Sequence, residues 1–246
     1  MMQCLNLLTC NRVEYKSNKM CGRYTLAKTK KAVAEHYSLP SCPDSFKPRY
    51  NIAPAQNNLV VIQTEKQNEL RMMEWGFPWS GSPSLSRRVI NGRAETLMQK
   101  SSFKNSFRHR RCLIPADGFI EWKSIHGTKY PHHMALKSDE IFSFAGLWSE
   151  FQCKENSFQA FCIITTEANT LLQSIHHRMP AILKSDDYDR WLSSESNPLS
   201  LHSLLTPYPD ELMSIRTISR KVNSAKNNTP ECLQSEDLPP VQETLF

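Results

Sequence analysis

From Arg23 onward, apolar and polar positions alternate in short runs, a period of two that predicts strands more than long helices. Asn58–Glu65 and Glu69–Trp75 alternate around a Lys-Gln-Asn turn and predict a hairpin. Arg111–Pro115 and Phe119–Lys123 flank Ala116-Asp117-Gly118, a turn signal, and Tyr130–Lys137 follows a second turn at His126–Lys129. Ile141–Trp148 and Phe158–Thr166 read as apolar strands, and Met213–Ser219 as the last strand. Helical patterning is confined to Thr29–Ser38, Glu167–Ile175 and Asp186–Ser194, the last begun by Ser185 as a cap. So many strands make a sheet too long to stay flat. The expected fold is a single β-rich α+β domain with a barrel-like mixed or antiparallel sheet core and a few short peripheral helices. Residues 1–19 show little periodicity and read as an N-terminal extension absent from the mature protein. The domain itself runs over 20–233, and 234–246 read as a flexible tail.

Composition narrows the class. Of 246 residues, 39% are hydrophobic and 22% charged, which supports a buried core and excludes disorder throughout. No apolar run approaches the roughly 18 residues of a membrane-spanning helix. The formal net charge of +6 is concentrated: residues 87–111 hold eight Lys/Arg against one acid, Glu95. Such a patch fits either a polyanion partner or a solvated basic face. The eight cysteines include no C-x-x-C pair, and MMQCLNLLTCNR lacks the features of a secretory leader. Free thiols in a reducing cytoplasm are expected, with Cys112 and Cys162 as inert core residues.

Several residues could carry chemistry. Cys21 follows Met20; removal of that methionine would leave an N-terminal cysteine. Its α-amine would titrate near pH 8, about two units below lysine, so a useful fraction is nucleophilic at pH 7. An aldehyde condenses with such an amine, and the adjacent thiol can close the imine into a thiazolidine. The other reading is an ordinary buried cysteine. Glu121 lies among apolar neighbours in Gly-Phe-Ile-Glu-Trp, either as a general acid raised by burial or as a strand-edge partner of an arginine. His176 and His177 stand where a helix gives way to a strand, for acid–base work or simply solvated. Asn91 and Arg93 share a face if extended, an amide to orient a reacting oxygen and a guanidinium for phosphate. Trp75-Gly-Phe-Pro-Trp79 is an aromatic cluster that could stack on bases or fill a core. Walker loops, G-x-S-x-G elbows and H-E-x-x-H motifs are absent from the sequence, which removes nucleotide hydrolases, α/β-hydrolases and zincins.

Taken in order, the segments resemble the SRAP (SOS response-associated peptidase) family. The matching pieces are Met20–Tyr24, Tyr50–Pro54, Trp75-Gly76, Asn91–Thr96, Arg111–Trp122, Phe144–Trp148, Ile164–Asn169, Ile175–Pro180 and Val222-Asn223. Five of the seven glycines fall inside this set, so their scarcity marks the site. The resemblance implies an abasic-site sensor that binds single-stranded DNA and forms a covalent thiazolidine with the ring-opened sugar. Cys21 would supply amine and thiol, Asn91 would hold the reacting groups, Glu121 would be the general acid/base and His176 would shuttle protons. Arg23, Arg93 and Arg178 would hold phosphates, Pro54 and Trp75 would wedge or stack against bases, and Thr165 would line the lesion pocket. No cofactor and no metal is implied; the expected state is a cytoplasmic monomer, nucleoid-associated if bacterial, with no membrane partner. Competing readings are a cysteine peptidase or amidase, self-processing in particular, and a non-catalytic single-strand binding module.

Two departures from the pattern bear on this. With residues 1–19 attached, Cys21 has no free amine. Initiation at Met20 would provide one, as would self-cleavage of a propeptide; the lack of folded pattern in the extension favours the first. Ser80–Arg88 also lacks the longer helical insert that commonly follows the Trp-Gly motif.

Overall fold

The structure, a computed structural model, describes residues 21–78, 88–153 and 156–238. The N-terminal extension and residues 79–87, which include Trp79 and all of the Ser80–Arg88 segment but Arg88, therefore lie outside the described residues. In the first half the strands are β1 (Tyr24–Leu26), β2 (Arg49–Ile52), β3 (Asn57–Gln63), β4 (Asn68–Trp75), β5 (Phe77–Pro78), β6 (Arg88–Val89) and β7 (Asn91–Arg93). The central run adds β8 (Arg111–Ala116), β9 (Gly118–Ile125), β10 (Thr128–Leu136), β11 (Phe142–Cys153) and β12 (Asn156–Glu167). Last come β13 (Arg178–Pro180), β14 (Ile182–Leu183) and β15 (Met213–Thr217). Short helices punctuate them: α1 (Lys30–His36), α2 (Ser101–His109), α3 (Thr170–Gln173), α4 (Tyr188–Leu192) and α5 (Pro198–His202).

Two sheets share the load. Strands β12, β4, β3, β8 and β11 pair in sequence, and β11 pairs back to β12, so five strands close into a ring. Closure leaves no bare edge along that circuit. The ring is mixed: β12 runs parallel to β4 and to β7, while its pairings with β11 and β13 are antiparallel. The second sheet is open, in the order β15-β10-β9-β1-β2, and antiparallel throughout. All six residues of β8 are buried, as are the five central residues of β3. A strand buried on both faces needs covering from outside as well as within, and α2 and α4 pack on β8. Phe144 of the ring joins the two sheets, lying edge-on to Tyr24 and Phe119 with ring centres 5.8 and 6.1 Å away.

The expected hairpin over 58–75 is present as β3–β4, with register Asn57↔Glu74 through Gln63↔Asn68. The helix near 30 is capped by Thr29, whose hydroxyl accepts from the Ala32 amide at 3.2 Å. The turn at Asp117 differs from a hairpin: β8 belongs to the ring and β9 to the open sheet, so the chain crosses between sheets there. Helix α3 is shorter than expected because Asn169 caps it within the predicted span. Ser185 does not cap α4; it starts a 3-10 turn, Ser185–Asp187, that precedes the helix. Backbone pairing continues past 233: the Ser219 amide donates to Gln234 O and the Glu236 amide to Thr217 O. No helix among the described residues is long and apolar enough to cross a membrane.

Candidate functional site

Cys21 lies three residues ahead of β1 and is 1% exposed. Asn91, on the short strand β7, donates from Nδ2 to the Cys21 carbonyl at 2.9 Å. The Cys21 thiol donates to Arg23 O at 3.7 Å. Burial pushes that thiol well above its ordinary pKa, the Glu121 carboxylate raises it further, and the bond to Arg23 O partly offsets both. Cys21, Asn91 and Glu121 are thus brought together from three elements: β7 carried by the ring strand β12, and β1 and β9 neighbours in the open sheet.

Glu121 is buried in β9 at 4% exposure, and its cross-strand partner on β10 is His132, itself opposite Thr217 on β15. Directly opposed residues share a sheet face, so these three form a polar row. His132 Nδ1 lies 2.9 Å from Tyr130 O, and its Nε2 lies 3.4 Å from the Thr217 hydroxyl. Burial lowers the His132 pKa, partly offset by the bond to Tyr130 O. Beside this row, a second polar chain is buried where β8 passes into β9. The Thr25 hydroxyl donates to Asp117 Oδ1 at 2.5 Å and lies 3.2 Å from His133 Nε2, while the Ala27 amide donates to Asp117 Oδ2 at 2.6 Å. His133 is driven down to about 4, mainly by burial, and Asp117 is raised by the same cause. A Cβ on Gly118 would stand 2.0 Å from His133 Nε2, so the close approach of β9 to that imidazole requires glycine.

The expected phosphate ligands are placed in different ways. Arg23 is held by Asn51 Oδ1 at 2.6 Å and Val222 O at 2.8 Å, and its guanidinium lies 5.6 Å from the Trp122 ring. Arg178 is buried and committed inward. It binds both oxygens of Glu95, at 2.7 and 3.1 Å, and donates to Thr165 O at 2.6 Å. Those bonds hold the Glu95 carboxyl below the usual carboxylate range. Thr165 is fully buried, with its hydroxyl 3.4 Å from Gly92 O. Arg93 is exposed and, with His177 and Arg178, lines an open pocket of about 400 Å³. His176 receives the Arg178 backbone amide at Nδ1, 3.1 Å away, and stacks on His177 with ring centres 4.5 Å apart. Glu95, Arg178 and His176 are therefore mechanically linked.

Two expected base contacts diverge. Pro54 is half-buried in the turn between β2 and β3, at the surface. Trp75 is 0% exposed, with Nε1 donating to Ile90 O at 3.0 Å, Tyr24 edge-on at 5.1 Å and Phe161 stacked at 6.3 Å. Its surroundings make it a core residue, with no open face for a base. The basic run is likewise only partly available. Arg111 caps two helices at once: its guanidinium donates to Phe107 O and Arg108 O at the end of α2, and to Trp191 O and Ser193 O at the end of α4. Arg88 pairs with Glu74, and Arg110 stacks on Trp148 at 5.5 Å. Arg93, Lys100, Lys104 and Arg108 are exposed and have no ion-pair partner among the described residues.

Sequence reasoning missed Asn51, Glu95, Asp117 and His132 as site-building residues. Asn51 and Glu95 lay inside the quoted motifs, where their immediate neighbours drew the attention; His132 had no local signal. Cys21, Cys42, Cys112, Cys162 and Cys232 are free thiols. No group of three or more His, Cys, Asp or Glu is arranged to hold a metal among the described residues.

Comparison with known proteins adds a further layer. The profile described as "SOS response associated peptidase (SRAP)" matches residues 20–225. The abasic site processing protein YoqW of Bacillus subtilis is 40% identical over 223 residues, covering 88% of this chain and all of the relative. The abasic site processing protein HMCES of Xenopus tropicalis is 29% identical, over 77% of this chain and 67% of that protein. A crystal structure of a Bacteroides thetaiotaomicron protein superposes with a TM-score of 0.78 at 26% identity, covering 88% of this chain and all of the other.

Proposed function

The chain belongs to the SOS response associated peptidase family, and on that premise we propose that it processes abasic sites in single-stranded DNA by covalent capture through Cys21. The observation that carries this reading is the grouping of a buried Cys21 with Asn91 on its carbonyl and Glu121 close enough to raise its thiol. The names of the relatives point to the same lesion.

The chemistry follows from the residues. Once Cys21 is N-terminal, its amine attacks the aldehyde carbon of the ring-opened sugar to give a carbinolamine. Glu121 protonates the departing hydroxyl, water leaves, and the resulting iminium returns a proton to the Glu121 carboxylate to give the imine. The Cys21 sulfur then bonds to the imine carbon, the thiol proton passes to nitrogen, and a thiazolidine results. Aldehyde plus cysteine gives thiazolidine plus water. Asn91 fixes the Cys21 backbone so that amine and thiol face one carbon. His176, partly exposed and fixed through Nδ1, carries protons between this centre and solvent. Arg93 and the exposed cations of the basic run receive the strand, and the protein remains bound to the lesion.

A cysteine-peptidase reading needs a thiolate next to an imidazole. Here burial and Glu121 both favour the protonated thiol, and His176 Nδ1 is taken by a backbone amide. Those features support the thiazolidine route, which uses the thiol proton.

Denaturing electrophoresis of protein starting at Cys21, mixed with an abasic oligonucleotide, tests the proposal. A heat-stable adduct is expected. Cys21→Ala should give none, and Cys21→Ser should give one only after borohydride reduction traps the imine. A stable adduct with Cys21→Ala sinks the reading. Intact mass of protein expressed from its natural gene should begin at Cys21; a species retaining residues 1–19 overturns it as well.

A further inference from the structure

Away from Cys21, a cavity of about 600 Å³ opens between β2, β3, β4 and the segment around residue 228. Its lining includes Phe46, Lys47, Arg49, Gln56, Met72 and Asn228. The titratable members are both cations, Lys47 and Arg49. Two neighbouring acids, Asp44 beside Ser45 and Glu74 opposite Asn57, are paired elsewhere, with Lys30 and Arg88. Arg49 donates from Nη2 to Gln56 Oε1 at 2.5 Å, yet its Nε is buried without a hydrogen-bond partner. A buried guanidinium nitrogen left unbonded is costly, and an anionic oxygen is the group that relieves it. Lys47 is exposed beside it and has no ion-pair partner among the described residues. The amide side chains divide the same way. Gln56 Oε1 and Asn228 Oδ1 are occupied by Arg49 with the Ala53 amide, and by the Tyr50 amide, which leaves their NH₂ groups as donors. A site with two cations, spare donors and an apolar wall of Phe46 and Met72 suits a phosphate joined to a flat, carbonyl-bearing ring.

The cavity is linked to the Cys21 site through β2. Arg49 and Asn51 lie on the same short strand, two residues apart and so roughly 7 Å along it. Asn51 anchors Arg23 and binds Val222 O, Ser224 O and Asn227 O, while Asn228 of that same loop walls the cavity. Pro54 and Gln56 belong to the one turn that joins β2 to β3. We propose that this cavity is a nucleotide subsite: it takes a base and its phosphate from the strand flanking the lesion, with the phosphate on Arg49 and Lys47. This deepens the reading of the chain as a single-strand abasic-site protein and rests on it. In effect the enzyme measures a stretch of intact strand next to the damage.

The test uses single strands carrying a tetrahydrofuran abasic analogue, which has no aldehyde, so binding is separated from capture. Strands with the flank on either side lengthened one nucleotide at a time are titrated by fluorescence anisotropy against wild type, Lys47→Glu and Arg49→Gln. Wild-type affinity should step up when the flank on one side reaches the cavity. Lys47→Glu should remove that step, a loss of roughly three- to tenfold, and leave shorter strands bound as before. Its rate of adduct formation with the shortest aldehyde-bearing strand should be unchanged. Arg49→Gln should act in the same direction; if it fails to fold, the exposed Lys47 still carries the test. Equal flank dependence in wild type and Lys47→Glu overturns the subsite. Wild type that binds with the step yet never forms an adduct overturns the covalent reading and leaves the subsite standing.

Discussion

In the closed ring, β3 and β8 bury nearly every side chain they carry, and the buried set there is mostly aliphatic and aromatic: Val60, Leu113, Phe144, Phe161 and Ile163. In the open sheet, β9 and β10 bury Glu121, His132 and His133 within the span of two adjacent strands, with Asp117 at the crossing. Apolar burial stabilises at any pH, whereas each buried ionisable group ties stability to protonation. The ring holds the fold, and the sheet accepts a thermodynamic penalty to hold chemistry. The exceptions fit the division: Arg111 and Arg178, buried on the ring side, are neutralised by four carbonyls and by Glu95.

That contrast is breakable. Glu121→Gln should lower the rate of adduct formation by roughly 100- to 10,000-fold, the usual worth of a general acid, with little change in the denaturation midpoint. Phe161→Ala in the ring should do the reverse. It should cost about 3–5 kcal/mol of stability by urea denaturation, and the protein that remains folded should react at the wild-type rate. If both variants lose rate and stability together, the division of labour is wrong.

Acid provides the next largest effect. His133 is held near 4 in the folded protein, against 6.5 for the free side chain, so the unfolded chain binds a proton that the folded one refuses. Stability should therefore fall as pH drops through 6.5 and level off near 4, by about 3 kcal/mol in all. Asp117, whose carboxyl is raised, opposes the trend at its lower end. His133→Asn should flatten the slope, and ring variants such as Phe161→Ala should leave it intact. Denaturant melts at stepped pH decide this.

Two glycines sharpen the same point at smaller scale. A Cβ on Gly118 meets His133 Nε2 and the Met134 carbonyl, a ring pinned by Thr25 and a piece of backbone. A Cβ on Gly146 meets the ends of Ile114 and Cys112. Gly118→Ala should cost about 1–3 kcal/mol and more than Gly146→Ala, by thermal melt. Smallest is Glu95→Gln, at about 0.5–1 kcal/mol because the carboxylate is half-exposed. The contribution of Glu95 is present above the ordinary carboxylate range and is lost as pH falls through its depressed value. Its informative readout is the NMR chemical shift of the His176 ring at fixed pH, which should move in the variant because Arg178 joins Glu95 to His176; an unmoved signal breaks that link.

Much of the fold was legible because its signals are local. The β3–β4 turn and the Thr29 cap are written in a few adjacent residues. Helix α2 was passed over because charge masked the pattern; Phe103 and Phe107, four apart and both buried, were the available sign. The Asp117 crossing resembled a hairpin turn because strand propensity does not reveal which sheet a strand joins. Of the site, Cys21, Asn91 and Glu121 were legible as residue types, and their meeting was not. It depends on β7 lying parallel to β12, a pairing between residues 91 and 163. Trp75 illustrates the opposite error, since an aromatic cluster reads alike whether it faces a ligand or the core. For Arg178, expected from the resemblance to hold phosphate, the pairing with Glu95 had no local sign because the two lie 83 positions apart.

The parallel seam of β12 has a consequence for how the protein is made. Strand β4 ends at Trp75 and β12 begins at Asn156, so on a ribosome the β3–β4 hairpin waits for a long stretch of synthesis before its circuit can close. The same strand carries β7, and with it the amide that pins Cys21. Until β12 is in place, β7 has no strand to pair with and the Cys21 carbonyl lacks the Asn91 amide that covers it. Assembly of the pocket around Cys21 is thus ordered in time by topology: it cannot precede the synthesis of β12.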